Sequence, residues 1–359
     1  MNIIEATASY EKWLSGHMPL NAADIAIKHE RMAASSFEFL RATFYRWMQR
    51  WDETCSEIKG RHPVLAVGDL HIENFGTWRD LDGRLIWGVN DFDEVFTLSY
   101  AIDLVRLGVS AGLAVEEKQF SIDLDDAIES MLDGYQEALE QGGRPFVLEE
   151  HHRWLRKIAM NELRDPEIFW KKTKSWLPPK GKWAPSAKKI LVSALPKSPG
   201  RPQFFRRVAG LGSLGRPRFT AVIDCHGGKI CREAKAMAPS ACLWARNHHQ
   251  RSQHTEELLK KAKRVPDPIY YVKDKWLVRR LAPHCSRIEM SHWPKKRDEM
   301  ELMWAMGFET ANIHWGSLEK KDVGKILTKK WRRKIIDAIE DMTDVTLEDW
   351  RAWRRFSLK

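Results

Sequence analysis

The sequence GDLHIENFG at residues 68–76, followed by NDFDE at residues 90–94, decides how the rest of this chain is interpreted. The apolar run Pro63–Val67 precedes the first motif and predicts a short buried strand. Between the motifs, DLDG at residues 80–83 is a turn signal, so Phe75–Trp78 and Arg84–Val89 are predicted to form a hairpin. That hairpin would return Asp91 to the mouth of the loop that carries Asp69.

This spacing of acidic and amide side chains suits phosphoryl transfer. The reaction needs a carboxylate that orients the attacking hydroxyl, and an amide oxygen and a second carboxylate that hold Mg²⁺ against the nucleotide phosphates. We therefore predict Asp69 as the catalytic base and Asn74 and Asp91 as metal ligands. Asp93 is interpreted as either a second metal contact or a cap, and His71 is expected to brace the loop. The structural alternative is that Gly-Asp is a common turn dipeptide and that Asp-Phe-Asp simply ends a strand.

Two further questions about this region stay open at the level of sequence. Asp103 opens an apolar stretch, where it would either cap a helix or accept hydrogen bonds from the backbone of the loop before it. A Gly-Asp-x-His sequence also opens some two-metal phosphoesterase sites. Those sites usually need later histidine ligands in a dedicated loop. The later histidines here lie in charged, helical or linker-like surroundings, at positions 151, 152, 248, 249 and 254.

The second motif is the glycine-rich sequence GLGSLG at residues 210–215. In a dinucleotide-binding turn, these glycines would open a helix whose N-terminus receives the pyrophosphate. Here the next residues, Arg216–Ile223, alternate in polarity and include a proline, which predicts a strand. A glycine turn between two strands covers the phosphates of ATP in protein kinases. The residues predicted to contact the nucleotide are therefore Gly210, Leu211, Gly212, Ser213 and Gly215.

A kinase-like site also needs a lysine on the third strand of its sheet, where it reaches the α- and β-phosphates. Lys235 lies on the strand predicted for Lys229–Met237, between two alanines that indicate a buried position. A buried ammonium group needs an anionic partner. The following predicted helix, residues 252–263, offers Glu256 and, as an alternative, Glu257. The other interpretation of Lys235 is an exposed lysine of the strand.

With both motifs in place, the chain resembles the bacterial family known as domain of unknown function 2252. The resemblance rests on residues 67–106 and 208–241, on YYV and VRR at residues 270–272 and 278–280, and on ANIH at residues 311–314. That family is itself similar to aminoglycoside and choline phosphotransferases, although Val67 stands where those enzymes often carry histidine. The resemblance implies ATP and Mg²⁺, with Asp69, Asn74, Asp91 and Lys235 in the roles given above.

These elements predict an α+β fold, protein-kinase-like and two-lobed, in which a circular permutation places the catalytic loop before the glycine-rich loop. Helices are predicted over residues 22–52, 101–115, 121–140 and from 295 onward. The predicted segments are residues 1–140, the first half of the helical lobe; 141–203, a basic linker or helical insertion; 204–285, an antiparallel ATP-binding lobe; and 286–359, the second half of the helical lobe. The helix that would support the catalytic loop, Asp298–His314, comes last in the chain.

Composition bears on location and partners. Of the net charge of +10, the stretch Lys171–Arg218 contributes 13 Lys or Arg and no Asp or Glu. Basic stretches suit nucleic acid, but this one carries no recognised reading motif, and a solvated connector is the simpler interpretation. Five cysteines without a CxxC pair predict reduced thiols. With no signal peptide and no apolar run long enough to span a membrane, we expect a cytoplasmic protein.

The predicted function is an ATP- and Mg²⁺-dependent phosphotransferase that acts on a hydroxyl group of a small molecule or a protein. The same residues also permit a nucleotide-binding pseudokinase, or a nucleotidyltransferase that holds ATP in the opposite direction. A nucleic-acid-binding protein and a metallophosphoesterase are the remaining hypotheses.

Overall fold

The fold combines helices near both ends of the chain with a five-stranded antiparallel sheet between them. It is known from a computed structural model that describes residues 1–160, 165–197, 200–247, 254–283, 285 and 297–358. The α+β class predicted from the sequence is confirmed. Within the described residues, no helix is both long and apolar enough to cross a membrane. All five cysteines are free thiols, as expected.

Four helices precede the first strand, and they divide the predicted helical span of residues 22–52 into three. They are α1 (Ile3–Ser15), α2 (Ala22–Ala34), α3 (Ser36–Ala42) and α4 (Phe44–Thr54). The break between α2 and α3 lies at Ser35, whose backbone is extended and whose side chain caps α3 by accepting a hydrogen bond from the Glu38 amide.

The next segment contains the predicted strand and hairpin. Strand β1 (Pro63–Ala66) leads into the loop of the first motif, and β2 (Phe75–Arg79) pairs with β3 (Leu85–Val89) in an antiparallel hairpin. The Asn90 amide donates to the Asn74 carbonyl at 2.9 Å, so the hairpin closes the distance between the two motifs. Strand β4 (Phe96–Ser99) then pairs with β1 and leads into the helices α5 (Ala101–Glu116) and α6 (Leu124–Gln141).

The segment predicted as a basic linker or helical insertion, residues 141–203, contains three helices and one short strand among its described residues. It holds the short strand β5 (Phe146–Val147), which pairs with β3, and helices α7 (Arg153–Ala159), α8 (Pro166–Thr173) and α9 (Ala184–Ala194). Helix α9 packs against the five-stranded sheet and buries Ala187, Ile190 and Leu191 in the main apolar core. This segment therefore contributes a layer to the fold.

The five-stranded sheet consists of β6 (Gln203–Arg206), β7 (Arg218–Cys225), β8 (Gly228–Ala236), β9 (Tyr271–Lys273) and β10 (Trp276–Leu281). Its strands lie in the order β6-β7-β8-β10-β9, and every neighbouring pair is antiparallel. Because side chains alternate across a strand, β8 directs Ala234 and Ala236 into the core that includes α9. The charged residues Glu233 and Lys235 of the same strand lie on the opposite face.

The short helices α10 (Ala241–Ala245) and α11 (Thr255–Lys261) connect β8 to β9, and two long helices follow β10. Helix α12 (Arg297–Trp315) packs against α6, and α13 (Lys329–Ser357) packs against α5 and α2. Arg46 of α4 forms a buried ion pair with Asp349 of α13, at 2.8 Å between Nε and Oδ2. The two ends of the chain thus build one helical body.

Helices α6 and α12 approach each other so closely that a glycine is required at their crossing. A Cβ atom added at Gly307 would overlap the carbonyl oxygen of Met131 in the neighbouring helix. We therefore expect Gly307→Ala to lower the free energy of unfolding by about 1–3 kcal/mol, the usual range for overpacking a core. Urea unfolding followed by circular dichroism measures this effect.

Gly324→Ala is the matched control for that substitution, because a Cβ atom at Gly324 has no atom within 4 Å. We expect its unfolding midpoint to stay within error of the unsubstituted chain. Equal midpoints for Gly307→Ala and Gly324→Ala would contradict the close helix packing.

Candidate functional site

A cleft of about 390 Å³ lies between the helical body and the sheet. The loop at residues 67–74 and the turn at residues 90–94 line one side. The glycine-rich turn and the charged face of the sheet line the other. The cleft-lining residues include Asp69, His71, Asn74, Asp91 and Asp93 on the first side, and Arg207, Gly210, Gly212, Ser213, Arg218 and Arg279 on the second.

An ion pair between Lys235 of β8 and two aspartates of the turn at residues 90–94 lies in the wall of this cleft, and Lys235 itself is not among the described residues that line it. Only 1% of the Lys235 side chain is exposed, and its Nζ lies 3.1 Å from Asp91 Oδ1 and also contacts Asp93 Oδ2. Burial by itself raises the pKa of Asp91, but the positive charges of Lys235 and Arg279 outweigh this effect and lower the pKa to about 2. Burial and the charge of Asp91 raise the pKa of Asp93. Lys235 and Asp91, which lie 144 positions apart in the sequence, thus meet in the folded chain.

The expectation that Glu256, or Glu257, pairs with Lys235 is wrong. The hydroxyl of Thr255 donates to the Phe92 carbonyl at 2.9 Å, which fixes the start of α11 against the aspartate turn. From there Glu256 points into solvent, and Glu257 pairs with Lys261 of its own helix at 2.7 Å. The hairpin delivers closer carboxylates to the lysine than the helix does.

The loop after β1 is held by Asp103, the first charged residue of α5. Its two carboxylate oxygens accept hydrogen bonds from the amides of Val67, at 2.7 Å, and Gly68, at 2.8 Å. Of the two roles considered for Asp103, the structure selects the acceptor for the loop backbone. His314 of α12 lies 2.9 Å from the same carboxylate through Nε2, and its Nδ1 lies 2.8 Å from the Tyr135 hydroxyl. A late helix therefore supports the early loop.

The predicted bracing role of His71 is confirmed. Its Nδ1 accepts a hydrogen bond from the Glu73 amide at 3.2 Å, and its own amide donates to Asn74 Oδ1 at 2.8 Å. Asn74 is buried at the cleft wall. An amide oxygen has two lone pairs, so Asn74 Oδ1 keeps one of them beyond the bond from His71.

Asp69 lies at the cleft surface in contact with a fully buried arginine. Arg106 donates to Asp69 Oδ1 from Nη2 at 2.5 Å and from Nε at 3.0 Å. Its Nη2 also donates to the Leu40 carbonyl at 2.8 Å, which fixes the guanidinium. Burial raises the pKa of Asp69 to about 6, and Arg106 offsets that rise only in part. Asp69 is thus held by one oxygen, with a pKa near neutrality.

The glycine-rich turn lies directly against the loop that carries Asp69. A Cβ atom at Gly212 would lie 2.9 Å from the Arg41 carbonyl and 3.6 Å from Asp69 Oδ2, so only glycine permits this approach. Arg218 holds the turn by donating to Ser213 Oγ at 2.7 Å. Gly215, which was predicted to contact the nucleotide, is not among the described residues that line the cleft; its carbonyl accepts a hydrogen bond from the Asn21 amide.

Residues 21–167 match a family described as an uncharacterized protein conserved in bacteria, DUF2252. The match supports the resemblance to DUF2252 over these residues. It covers the GDLHIENFG motif, the aspartate turn and Asp103, and it ends before the glycine-rich turn. No curated protein and no solved structure matches the chain.

Sequence reasoning missed an arginine cluster that lies beyond the DUF2252 match. Glu233 is fully buried and pairs with three arginines of the sheet face: Arg207, Arg218 and Arg279. Charged residues at alternate strand positions, Glu233 and Lys235, were the signal that one face of the sheet is polar. Arg207 and Arg218 of this cluster belong to the basic stretch Lys171–Arg218. The lysines of that stretch are exposed, at positions 171, 172, 174, 180, 182, 188, 189 and 197.

Proposed function

We propose that this chain is an ATP- and Mg²⁺-dependent phosphotransferase that acts on a hydroxyl group. The observation that carries the proposal is the contact of Lys235, buried in the wall of the cleft, with Asp91, at 3.1 Å. Asp91, Asp69 and the glycine-rich turn line the cleft itself. A lysine on the strand after a glycine turn, an aspartate that faces it and a separate loop carboxylate are the parts on which phosphoryl transfer depends.

We further propose that the fold is a circularly permuted, two-lobed, protein-kinase-like one. The sheet at residues 204–285 would be the ATP-binding lobe, and the helices before and after it would form the second lobe. Support comes from the contact of His314 with Asp103, because a helix late in the chain buttresses a loop that comes early.

The aspartate turn suits Mg²⁺. This ion is usually held by one or two carboxylates, with phosphate oxygens and waters as the other ligands. Asp91 keeps 39% of its side chain exposed to the cleft, and Asp93 Oδ1 is buried with no hydrogen-bond partner among the described residues. The same part of the chain contains no group of three or more histidine, cysteine or carboxylate side chains arranged for a metal. Asp91 and Asp93 would hold Mg²⁺, and the chemistry that the ion would supply is to offset the charge of the phosphates.

The residues of the chain have separable tasks in this reaction. Arg106 contacts only Oδ1 of Asp69, so Oδ2 would accept the proton of the acceptor hydroxyl. The oxygen of that hydroxyl would attack the γ-phosphorus of ATP. The bond from that phosphorus to the β-phosphate oxygen breaks, and ADP leaves. Lys235 would exchange its aspartate contacts for phosphate oxygens. The backbone of the glycine-rich turn would cover the phosphates and exclude water.

The test is a thermal-shift titration with ATP and Mg²⁺ on the unsubstituted chain and on Asp91→Ala. Ligand at 100 times its Kd stabilises a protein by about 2.7 kcal/mol, so we expect a Mg²⁺-dependent rise in Tm that Asp91→Ala loses. Asp82→Ala, in the exposed turn of the same hairpin, is the control and is expected to keep the rise. Identical titrations for the three proteins would reject the site.

Isotope position separates phosphoryl from nucleotidyl transfer. ATP labelled at the γ-phosphate is expected to pass its label to a component of a bacterial extract, and ATP labelled at the α-phosphate is expected not to. Transfer of the α-label alone would replace the proposed reaction by nucleotidyl transfer.

A further inference from the structure

The sheet face above the cleft carries a positive charge that the proposed transfer step does not use. Arg207, Arg218 and Arg279 surround the carboxylate of Glu233, with nitrogen–oxygen distances of 2.6, 2.9 and 2.7 Å. One carboxylate thus faces three guanidinium groups, which leaves two positive charges unbalanced within the cluster. The neighbouring group of Lys235, Asp91 and Asp93 carries one cation and two carboxylates, so the two groups together keep an excess of one positive charge.

All three arginines line the cleft, and two of them keep a substantial part of their side chains exposed. Arg207 and Arg279 keep 26% and 21% of their side chains exposed. Arg218 is nearly fully buried and is occupied by Glu233 and Ser213. An arginine has five N–H donors, and Glu233 takes one from Arg279, at Nε, and one from Arg207, at Nη1. Several donors of both side chains therefore remain for a ligand.

A tyrosine hydroxyl beside this cluster is buried without a partner. Tyr270 lines the cleft, and its Oη has no hydrogen-bond partner among the described residues. Its electrostatic neighbours are the aspartates of the turn, together with Arg279 and Arg264. Buried hydroxyl groups are normally hydrogen-bonded, and an unpaired one is costly. A ligand oxygen at this place would satisfy it.

We infer that Arg207, Arg279 and Tyr270 form a binding site for a phosphoryl group, additional to the position between Lys235 and Asp91. Guanidinium groups bind phosphate in a bidentate manner, and the excess positive charge of the arginines favours an anion at this place. Strand register fixes the site relative to the lysine: Arg279 lies opposite Glu233, two residues along β8 from Lys235. That separation is about 7 Å at the usual rise of a strand.

The phosphoryl group has two sources that share this chemistry. It is either part of the phosphate chain of the nucleotide or a phosphate carried by the acceptor. The choice between these two sources rests on the proposed function. Anion binding at the site itself is measured without nucleotide and without metal.

The experiment is calorimetric titration of the full chain with inorganic tripolyphosphate in the presence of EDTA. We expect binding that weakens about tenfold or more in Arg279→Gln and Arg207→Gln, since a charge-assisted bond is among the stronger hydrogen bonds. Tyr270→Phe is expected to weaken it several-fold. This third variant protects the test against misfolding, because the hydroxyl that it removes has no hydrogen-bond partner in the described part of the chain.

Two matched controls are available on the same chain. Tyr271→Phe changes the neighbouring residue, which is not among the described residues that line the cleft, and Arg333→Gln removes an exposed arginine of α13. Both are expected to bind tripolyphosphate like the unsubstituted chain. The inference would be overturned if the unsubstituted chain did not bind tripolyphosphate. It would also be overturned if the three site variants bound it with the same affinity as the unsubstituted chain.

The outcomes separate this site from the proposed function. Asp91→Ala is expected to keep its metal-free affinity for tripolyphosphate even though it loses Mg²⁺-dependent ATP binding. Tripolyphosphate binding that depends on Arg279, in a chain that fails to bind ATP with Mg²⁺, would reject the proposed function and leave the anion site standing. If the chain binds tripolyphosphate and ATP with Mg²⁺, competition between the two ligands assigns the site to the nucleotide's own phosphates. Simultaneous binding assigns it to a phosphorylated acceptor.

Discussion

Replacing Asp103 with alanine is expected to lower the free energy of unfolding by about 3–5 kcal/mol, the range for removing one partner of a buried ionic contact. The carboxylate is fully buried and accepts hydrogen bonds from the amides of Val67 and Gly68. Its loss leaves two buried N–H groups and the imidazole of His314 without their acceptor. Each such group costs about 1–3 kcal/mol when unsatisfied. Urea unfolding measures the change.

The control for Asp103→Ala is Asp337→Ala, which removes an exposed carboxylate paired with Arg333 one turn away on α13. Exposed pairs of this kind contribute about 0.3–0.5 kcal/mol. Comparable losses in the two variants would mean that Asp103 does not hold the loop. Asp103→Asn is expected to fall between them, because the amide keeps one acceptor oxygen but presents an N–H₂ group in place of the other.

Replacing Asp69 with asparagine is expected to slow transfer of the γ-phosphate by about 10²–10⁴-fold, the usual contribution of a general base. Asparagine has nearly the same shape and still accepts a hydrogen bond from Arg106, but it does not take up a proton. Binding of ATP with Mg²⁺ is expected to persist in this variant. A variant that keeps full transfer activity would remove Asp69 from the reaction.

The pH dependence of transfer is a second readout of the same residue. A base works in its ionised form, and burial raises the pKa of Asp69 to about 6, against the partial opposition of Arg106. The rate at limiting substrate is therefore expected to fall tenfold per pH unit below about pH 6 and to level off above it. Transfer that rises with acidity through this range would carry the opposite sign and contradict the assignment.

The elements of the site were predictable because they follow from short-range patterns. The strand before the catalytic loop, the hairpin that returns Asp91 and the strand that carries Lys235 depend on apolar alternation and on turn residues. Both are properties of a few neighbouring residues. The same reasoning predicts five strands of the sheet, over residues 204–209, 218–225, 229–237, 269–273 and 276–281, and all five agree with the structure to within a few residues at their ends.

The partners of these residues were not predictable in the same way. Glu256 was chosen for Lys235 because a helix follows the strand, whereas the hairpin of the other motif supplies Asp91 and Asp93. The hydrogen bonds from the amides of Val67 and Gly68 decided the role of Asp103, and the same carboxylate contacts His314, which lies 211 positions away. Such contacts arise only when separate parts of the chain pack together, and no local pattern records them.

The sequence by itself determined the α+β class, the bounds of most elements and the residues from which the proposed site is built. Only the tertiary structure decided that Glu233 gathers three arginines, that Gly307 admits a neighbouring helix and that the glycine-rich turn meets Asp69. The physical reason is that periodicity and turn chemistry act over a few residues. The pairing of buried charges depends on the close packing of distant segments, where each charge must find a partner within hydrogen-bond distance.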